Sequence, residues 1–367
     1  MINNVIECSG CGVCFAVCPV NAIEQVEKER SVFYFHTNEK CIHCGKCISV
    51  CPTSKNLFHK SQNNFLSART KDNIILKTSS SGGIAYEISK IFIDNNYVVY
   101  GAGWNIEKQN VAHMRIESLE QLNILQGSKY VQSEVSAKIY NDIKMDILNR
   151  KVLFIGCPCQ VAAVRSLTKD HQNLYCLDIV CHGVSSPKLL TEQLKLISDE
   201  PVRNISFRDG LNFRLKVTFQ NSVFEKNGYD VPYYSLYLNF ASLREACYTC
   251  RYANTSRVGD LTLGDYVEHG ERFSLIVCNS VKGQDILKLI QNDVTFSMQD
   301  IKKLKENHAF NQPTYKSDKV IQFTKLYEKY GLEKAYYRTF RMLFFKRKLR
   351  KILGNKLYTK LKKIAGK

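Results

Sequence analysis

The sequence predicts a two-part fold: a small α+β module at the N terminus, then an α/β domain with a mixed sheet and a smaller antiparallel insertion, closed by a helical basic C-terminal tail. Three observations carry this. Two cysteine runs of identical spacing crowd the first sixty residues. A strand–helix–strand pattern runs through the middle, and the last segment is cationic with apolar residues at helical spacing. At 367 residues the chain exceeds one average domain and can bury a large core.

Eight of the fifteen cysteines form the two runs. Cys8, Cys11, Cys14 and Cys18-Pro19 are spaced C-x2-C-x2-C-x3-C-P, and Cys41, Cys44, Cys47 and Cys51-Pro52 repeat that spacing. This is the bacterial ferredoxin pattern for two [4Fe–4S] clusters: three close thiolates wrap one cubane, and the displaced fourth reaches the other. The pattern assigns Cys8, Cys11, Cys14 and Cys51 to one cluster, and Cys41, Cys44, Cys47 and Cys18 to its partner. Gly10, Gly12 and Gly45 suit a backbone that curls tightly and aims amides at sulfur. Disulfides would need an oxidising compartment, yet no signal peptide opens the chain, and the setting expected is reducing and cytoplasmic. Structural zinc favours C-x2-C pairs across longer loops. A ferredoxin-type domain is therefore expected over residues 1–60.

The polar stretch that follows reads as a linker over 61–75. The α/β domain, expected over 76–300, opens with Thr78-Ser79-Ser80-Ser81-Gly82-Gly83 and a helical pattern through Ile84, Ile88, Ile91 and Phe92. A Ser/Gly loop at a helix start can hold an anion such as phosphate, although serine there also serves as a plain N-cap. Tyr97–Tyr100 reads as a strand. Lys151–Ile155, a helical run through Val161, Val164 and Leu167, and Leu174–Val180 make a βαβ unit with parallel strands. Ser186 and Pro187 suit the N-cap and first position of a helix over Pro187–Ile197. Alternation between Val202 and Phe224 predicts the antiparallel insertion. A strand at Phe273–Cys278 and a helix near Gln284–Ile290 end the domain.

Both strands of the βαβ unit end in cysteine, at Gly156-Cys157-Pro158-Cys159-Gln160 and Cys181-His182-Gly183, where open α/β sheets bind ligands. Cys159, Cys181, Cys247 and Cys250 converge if the strand ends gather on one face. Such a set ligates either zinc or a third 4Fe–4S cluster. The cluster is preferred, because it continues an electron path that zinc would end. Cys176 and Cys278, on apolar strands, read as ordinary buried thiols.

The order Ser79–Gly83, Gly127-Ser128-Lys129-Tyr130-Val131-Gln132-Ser133, Gly156–Gln160, Cys181-His182-Gly183-Val184, Cys247–Cys250 and Gly259–Asp265 resembles the beta subunit of coenzyme F420 hydrogenases and dehydrogenases, in the form with a fused two-cluster ferredoxin domain. The resemblance runs from the first cysteine to about residue 280. It implies an FAD-containing domain that also ligates a 4Fe–4S cluster. Ser79, Ser80, Ser81, Gly82, Gly83, Lys129 and Tyr130 fall where the family's flavin loops lie, and Cys159, Cys181, Cys247 and Cys250 match its cluster cysteines. The chain departs at Cys157, where the family usually carries threonine or a similar residue. That leaves Cys157 and Cys159 as alternatives, with Cys159 preferred.

The function expected is an iron–sulfur flavoprotein oxidoreductase, with reduced ferredoxin or coenzyme F420 as redox partner and an organic substrate. Lys129 would hold the flavin pyrophosphate or polarise its ring. His182 would relay a proton or donate to a cluster ligand. The alternative is a non-catalytic electron-transfer subunit docked to a partner enzyme. A third reading puts zinc in the second site and leaves out the flavin. No nickel-binding segment or NAD fingerprint occurs.

The net charge of +18 is partly local: Arg341–Lys367 carries 11 Lys or Arg and no acid. With Leu343, Phe344, Leu349, Ile352, Leu353 and Leu357, the region 301–367 ends as a basic amphipathic helix. That helix suits the inner membrane surface as a peripheral contact, an acidic partner, or its own domain. Nucleic acid is not an expected partner, since no reading motif accompanies the charge.

Overall fold

The computed structural model describes residues 8–28, 32–60, 62, 64–304, 308–342 and 344. The N-terminal module contains helix α1 (Val13–Ala16), strands β1 (Ile23–Lys28) and β2 (Val32–Thr37), and helix α2 (Lys46–Val50). β1 and β2 pair antiparallel, from Ile23 with Thr37 to Lys28 with Val32.

There follow β3 (Asn64–Thr70), α3 (Asn73–Thr78), α4 (Ile84–Asp94), β4 (Val98–Asn105), β5 (Asn110–Ile116), α5 (Leu122–Leu125), α6 (Ala137–Asn149), β6 (Val152–Gly156), α7 (Pro158–Thr168), β7 (Leu174–Ile179) and α8 (Pro187–Lys195). Next come β8 (Val202–Asp209), β9 (Asn212–Phe219), β10 (Val223–Asn227) and α9 (Pro232–Leu238). The remaining elements are β11 (Leu261–Glu268), β12 (Glu271–Cys278), α10 (Val281–Ile290), β13 (Val294–Asp300) and α11 (Asp318–Thr339).

Eight strands form one mixed sheet in the order β13-β3-β12-β11-β7-β6-β4-β5. β4, β6, β7 and β11 run parallel to their neighbours in that series, and the flanking pairs are antiparallel. The expected βαβ unit is β6–α7–β7, in register from Val152 with Leu174 to Gly156 with Asp178. Alternation along the strands divides the core. Val152 and Phe154 bury against α6 and α7, while Leu153 faces the opposite core with Ile88 and Phe92 of α4 and Ile286 and Ile290 of α10.

β8, β9 and β10 make the separate antiparallel sheet that the alternation predicted. Its core joins Phe207, Leu215 and Val217 to Tyr233, Tyr234 and Leu236 of α9 and to Val320, Phe323 and Tyr336 of α11. Ser186 caps α8 by accepting from Lys188 N, with Pro187 at its first position.

Residues 61–75 are not a linker. β3 lies inside the large sheet, paired with β12 at Ser274–Ala68 and with β13 from Thr70–Val294 to Asn64–Asp300. Phe65 and Ala68 are buried on it. The polar composition misled because buried polar groups answer one another here: Gln299 Nε2 donates to Ser67 Oγ at 3.2 Å.

The module is stitched to the domain at several points. Tyr140 OH donates to Cys11 O at 2.7 Å, Ser166 Oγ to Val50 O at 2.7 Å, and Arg165 Nη1 to Leu57 O at 2.8 Å. The Arg251 guanidinium lies over the Phe58 ring at 5.5 Å. Beyond Arg341, Met342 and Phe344 the expected basic helix lies outside the described residues. Among the described residues no helix is long and apolar enough to cross a membrane.

Candidate functional site

The module's cysteines fall into the two crossed sets. Cys14, buried within α1, has Cys11, Cys8 and Cys51 as electrostatic neighbours. Burial pushes the Cys11 thiol up to about 11 and moves Cys14 in the same direction. Cys18 lines a smaller cavity of about 90 Å³ together with Cys41, Cys44 and Cys47. Ala22 N donates to Cys18 Sγ at 3.1 Å. Burial alone would raise the Cys18 thiol, but the amides of Ala22, Val20, Ile23 and Asn21 outweigh it and hold the thiol below its ordinary value. Cys44 is exposed, and so are Ile42 and Ile48 on the same rim.

A larger cavity of about 490 Å³ opens where the module meets the strand ends of the large sheet. Its wall carries Cys157 and Cys159 from the start of α7, Cys181 after β7, Cys247 and Cys250 after α9, and Cys11 from the module. Gly183 lets the Cys181 loop lie close against Cys247. It has φ +121°, and a Cβ there would stand 3.0 Å from Cys247 Cβ. Burial raises Cys247 to about 12 and Cys250 to about 11. Left alone these thiols hold their protons, so a bound cluster's own charge is what would keep them as thiolates. Cys157 Sγ and Cys181 Sγ lie 3.8 Å apart.

Several residues that position this site, Asp178, Arg257, Asp260, Arg244 and Gln132 among them, were given no role from the sequence. Asp178, at the end of β7, is fully buried. It accepts from Arg257 Nη2 at 3.0 Å, Val258 N at 3.0 Å and Gly259 N at 2.8 Å. Asp260 accepts from Cys176 N at 2.8 Å and from Ser280 Oγ at 2.6 Å. Arg257 and the Gly259–Asp265 motif thus build the scaffold behind Cys181. Arg244 Nη2 donates to Cys8 O at 3.2 Å, and Gln132 Nε2 to Gly10 O at 3.0 Å, tying the first cysteine loop to the cavity wall. Ala309, Gln312, Pro313 and Thr314 cover the cavity from the C-terminal side, with Thr314 Oγ1 donating to His182 O at 2.6 Å. His182 lines the same wall, its ring 6.0 Å from that of Phe240.

The expected flavin loops meet one another. Ser128 N donates to Ser80 Oγ at 2.9 Å, which brings Ser80 beside Lys129 and Tyr130. Other donors of the Ser/Gly loop serve the fold instead. Ser79 Oγ donates to Ile75 O at 2.7 Å, Ser81 Oγ shares a hydrogen bond with Ser274 Oγ, and Gly82 N donates to Ser274 Oγ at 3.0 Å. A Cβ on Gly82 would stand 2.2 Å from Ala68 O, so the glycine serves strand contact. Lys129 Nζ points at the C-terminal carbonyls of α5, donating to Leu125 O at 2.9 Å and Gln126 O at 2.5 Å. Burial pushes its ammonium down to about 7. Tyr130 OH accepts from Arg208 Nη1 at 3.1 Å, and Arg208 also pairs with Asp265. Tyr130 packs against Phe207, Phe213, Tyr234 and Tyr237 beside the polar Ser80, Ser128 and Arg208, while Ser81, Gly82 and Lys129 act on the loops themselves.

Residues 149–304 match the family model for the C-terminal part of the coenzyme F420 hydrogenase/dehydrogenase beta subunit, and residues 7–55 match the 4Fe-4S dicluster domain. Over residues 149–304 the chain carries the C-terminal domain of this beta-subunit family. It is an iron–sulfur electron-transfer protein, since the dicluster match spans all eight cysteines of the two runs. Among solved structures, a chain of the F420-reducing [NiFe] hydrogenase complex from Methanosarcina barkeri is similar. It has a TM-score of 0.49 and 17% identity over 77% of this chain and 92% of that one. No curated relative matches the chain.

Proposed function

We propose that this beta-subunit-type chain is an iron–sulfur flavoprotein oxidoreductase that passes electrons between three 4Fe–4S clusters and FAD, with reduced ferredoxin or coenzyme F420 as its redox partner. The observation that carries this reading is the placement of Cys11, from the module, on the same cavity wall as Cys159, Cys181, Cys247 and Cys250. A single zinc ion would fill little of a cavity of about 490 Å³, whereas a cubane with four thiolates suits it.

When bound, the clusters would supply one-electron carriage, and the flavin would exchange single electrons for pairs. The chain's residues have three tasks. Cys8, Cys11, Cys14 and Cys51 would hold the inner module cluster, Cys18, Cys41, Cys44 and Cys47 the outer one, and Cys159, Cys181, Cys247 and Cys250 the third. Ser80, Gly83 and Tyr130 would seat the flavin. Lys129 fastens the Tyr130 loop to α5 through its ammonium, and Ser81 and Gly82 fasten the other loop to β12. His182, beside Cys181, can donate a ring N–H toward a bound sulfur.

A second reading, an electron-transfer subunit docked to a partner enzyme, is favoured by one feature. The rim of the Cys18–Cys47 site shows Ile42 (60% exposed) and Ile48 (44% exposed) to solvent around the exposed Cys44.

Anaerobic purification with iron, sulfide and flavin quantified per chain tests the proposal. About twelve irons and one FAD are expected. About eight irons with zinc and no flavin would overturn it.

A further inference from the structure

The turn that carries Cys247 and Cys250 continues into Tyr252, which lines the large cavity. Its hydroxyl is buried and has no hydrogen-bond partner among the described residues. We propose that Tyr252 donates a hydrogen bond to the third 4Fe–4S cluster and thereby raises that cluster's reduction potential. The proposal rests on the reading of Cys159, Cys181, Cys247 and Cys250 as that cluster's ligands.

The side chain is firmly held. Tyr252 is 6% exposed and shares a core with Val13 of α1 and Tyr140 of α6, with Cys11, Cys159 and Cys250 packed against it. Its ring centroid lies 5.6 Å from that of Phe58, and the Arg251 guanidinium stands 5.9 Å from the same ring. Arg257 Nη1 donates to Tyr252 O at 2.9 Å, and Arg257 is itself paired with the buried Asp178. The ring is therefore closed in on several sides, and its hydroxyl has no easy route to bulk water.

A second tyrosine supplies the contrast. The hydroxyls of Tyr140 and Tyr252 both have Cys11 and Cys159 among their electrostatic neighbours. Tyr140 OH donates to Cys11 O at 2.7 Å and is satisfied within the protein. Tyr252 OH is not. Buried donors left without an acceptor are costly, and folded proteins keep few of them. The acceptor for Tyr252 is accordingly what fills the cavity it lines, and the sulfide and thiolate sulfurs of a cubane accept hydrogen bonds. Among its thiol neighbours Cys159 acts most strongly, ahead of Cys11, which assigns the bond to the third cluster and not to the inner module cluster.

The direction of the bond needs no titration. A phenol carries its proton at neutral pH and donates it to any stronger acceptor, whatever the thiols do. Reduction of the third cluster adds one electron from the inner module cluster, and Tyr252 keeps its proton throughout. The added negative charge spreads over the cluster sulfurs, so a fixed donor stabilises the reduced state more than the oxidised one. Tyr252 thus favours the hop from the Cys11 side of the cavity to the Cys159 side.

The test uses the full chain, purified anaerobically, with iron counted and each cluster titrated by EPR-monitored reduction. Cys159→Ala should lose about four irons, which identifies the signal of the third cluster. Tyr252→Phe removes the hydroxyl and keeps the ring. It should hold the wild-type iron content while the third cluster titrates at a more negative potential and the other two stay in place. Proton ENDOR of the reduced third cluster should show one exchangeable coupling fewer in Tyr252→Phe than in the wild type. Full iron with all potentials unmoved, as when a buried water takes the bond, overturns the proposal. A shift confined to a module cluster overturns it too, and loss of iron in Tyr252→Phe makes the hydroxyl a structural prop and does the same. A wild-type chain with only about eight irons overturns the third cluster and this role together, which separates failure of the functional reading from failure of this one.

Discussion

Tyr130 lies nearly face to face with Tyr237, their ring centroids 4.9 Å apart and their planes 21° from parallel. Tyr130 follows the loop that meets Ser80, and Tyr237 of α9 has Cys181 and Cys157 among its electrostatic neighbours. The pair is the material between the two proposed flavin loops and the thiols of the large cavity. Tyr237→Ala should cost about 3–5 kcal/mol in urea denaturation, as truncation of a buried aromatic does, and should weaken flavin retention. Tyr237→Phe keeps the ring and should recover most of both. Equal losses for the two variants would show that the stack itself contributes little.

Asp178 and Arg257 form a buried ion pair, exposed by 0% and 1%. Asp178→Asn leaves the guanidinium without its counter-charge and should lower stability by about 3–5 kcal/mol. Replacing both, as Asp178→Leu with Arg257→Met, should recover much of that loss. Thermal melts of the single and double variants decide the matter, and a double variant no better than the single argues against charge as the cause.

His113 is buried, with Nε2 3.0 Å from Ile155 O and Nδ1 3.2 Å from Ser133 Oγ. Burial lowers its imidazole from 6.5 to about 4. Below about pH 6.5 the unfolded chain takes up a proton that the folded chain refuses until about pH 4. The neutral ring's contribution is therefore full above pH 6.5 and drains as the pH falls toward 4, by about 3 kcal/mol at most. His113→Gln should flatten this part of the profile. Denaturant midpoints of both proteins across the interval check it, and parallel profiles would assign the acid sensitivity elsewhere.

Phe65 on β3 is 1% exposed. Phe65→Ala should cost about 3–5 kcal/mol by chemical denaturation, whereas a residue in a solvated linker would change stability by less than about 0.5 kcal/mol.

The parts of the fold legible in the sequence were those with local periodicity. Val152–Gly156, the helix at Pro158 and Leu174–Ile179 follow apolar runs and turn signals, so the βαβ unit and its two cysteine turns were placed correctly. The antiparallel insertion announced itself through Ile205, Phe207, Leu215, Val217 and Phe219. β3 was missed because Ser67, Gln62 and Asn64 read as solvated, and its partner Gln299 lies 232 residues away. The Arg257–Asp178 pair, 79 residues apart, leaves no local trace. Lys129 shows a different limit. Sequence places a cation beside the expected flavin loop, but only coordinates reveal that α5 takes its hydrogen bonds.

The position of β3 has a mechanical consequence. A carrier on a flexible tether must find its docking site afresh each time, and linker length and solvent viscosity set that search. Here the chain leaving the cysteine-rich module enters the interior of the large sheet almost at once, clasped by β12 on one side and β13 on the other. Cys11 is thereby held at a fixed station beside Cys159, so with clusters bound as proposed no domain swing would have to precede a hop between them. Turnover limited by this segment should be indifferent to added glycerol, and any viscosity dependence should arise at the open Ile42–Ile48 rim where the proposed outside carrier would arrive.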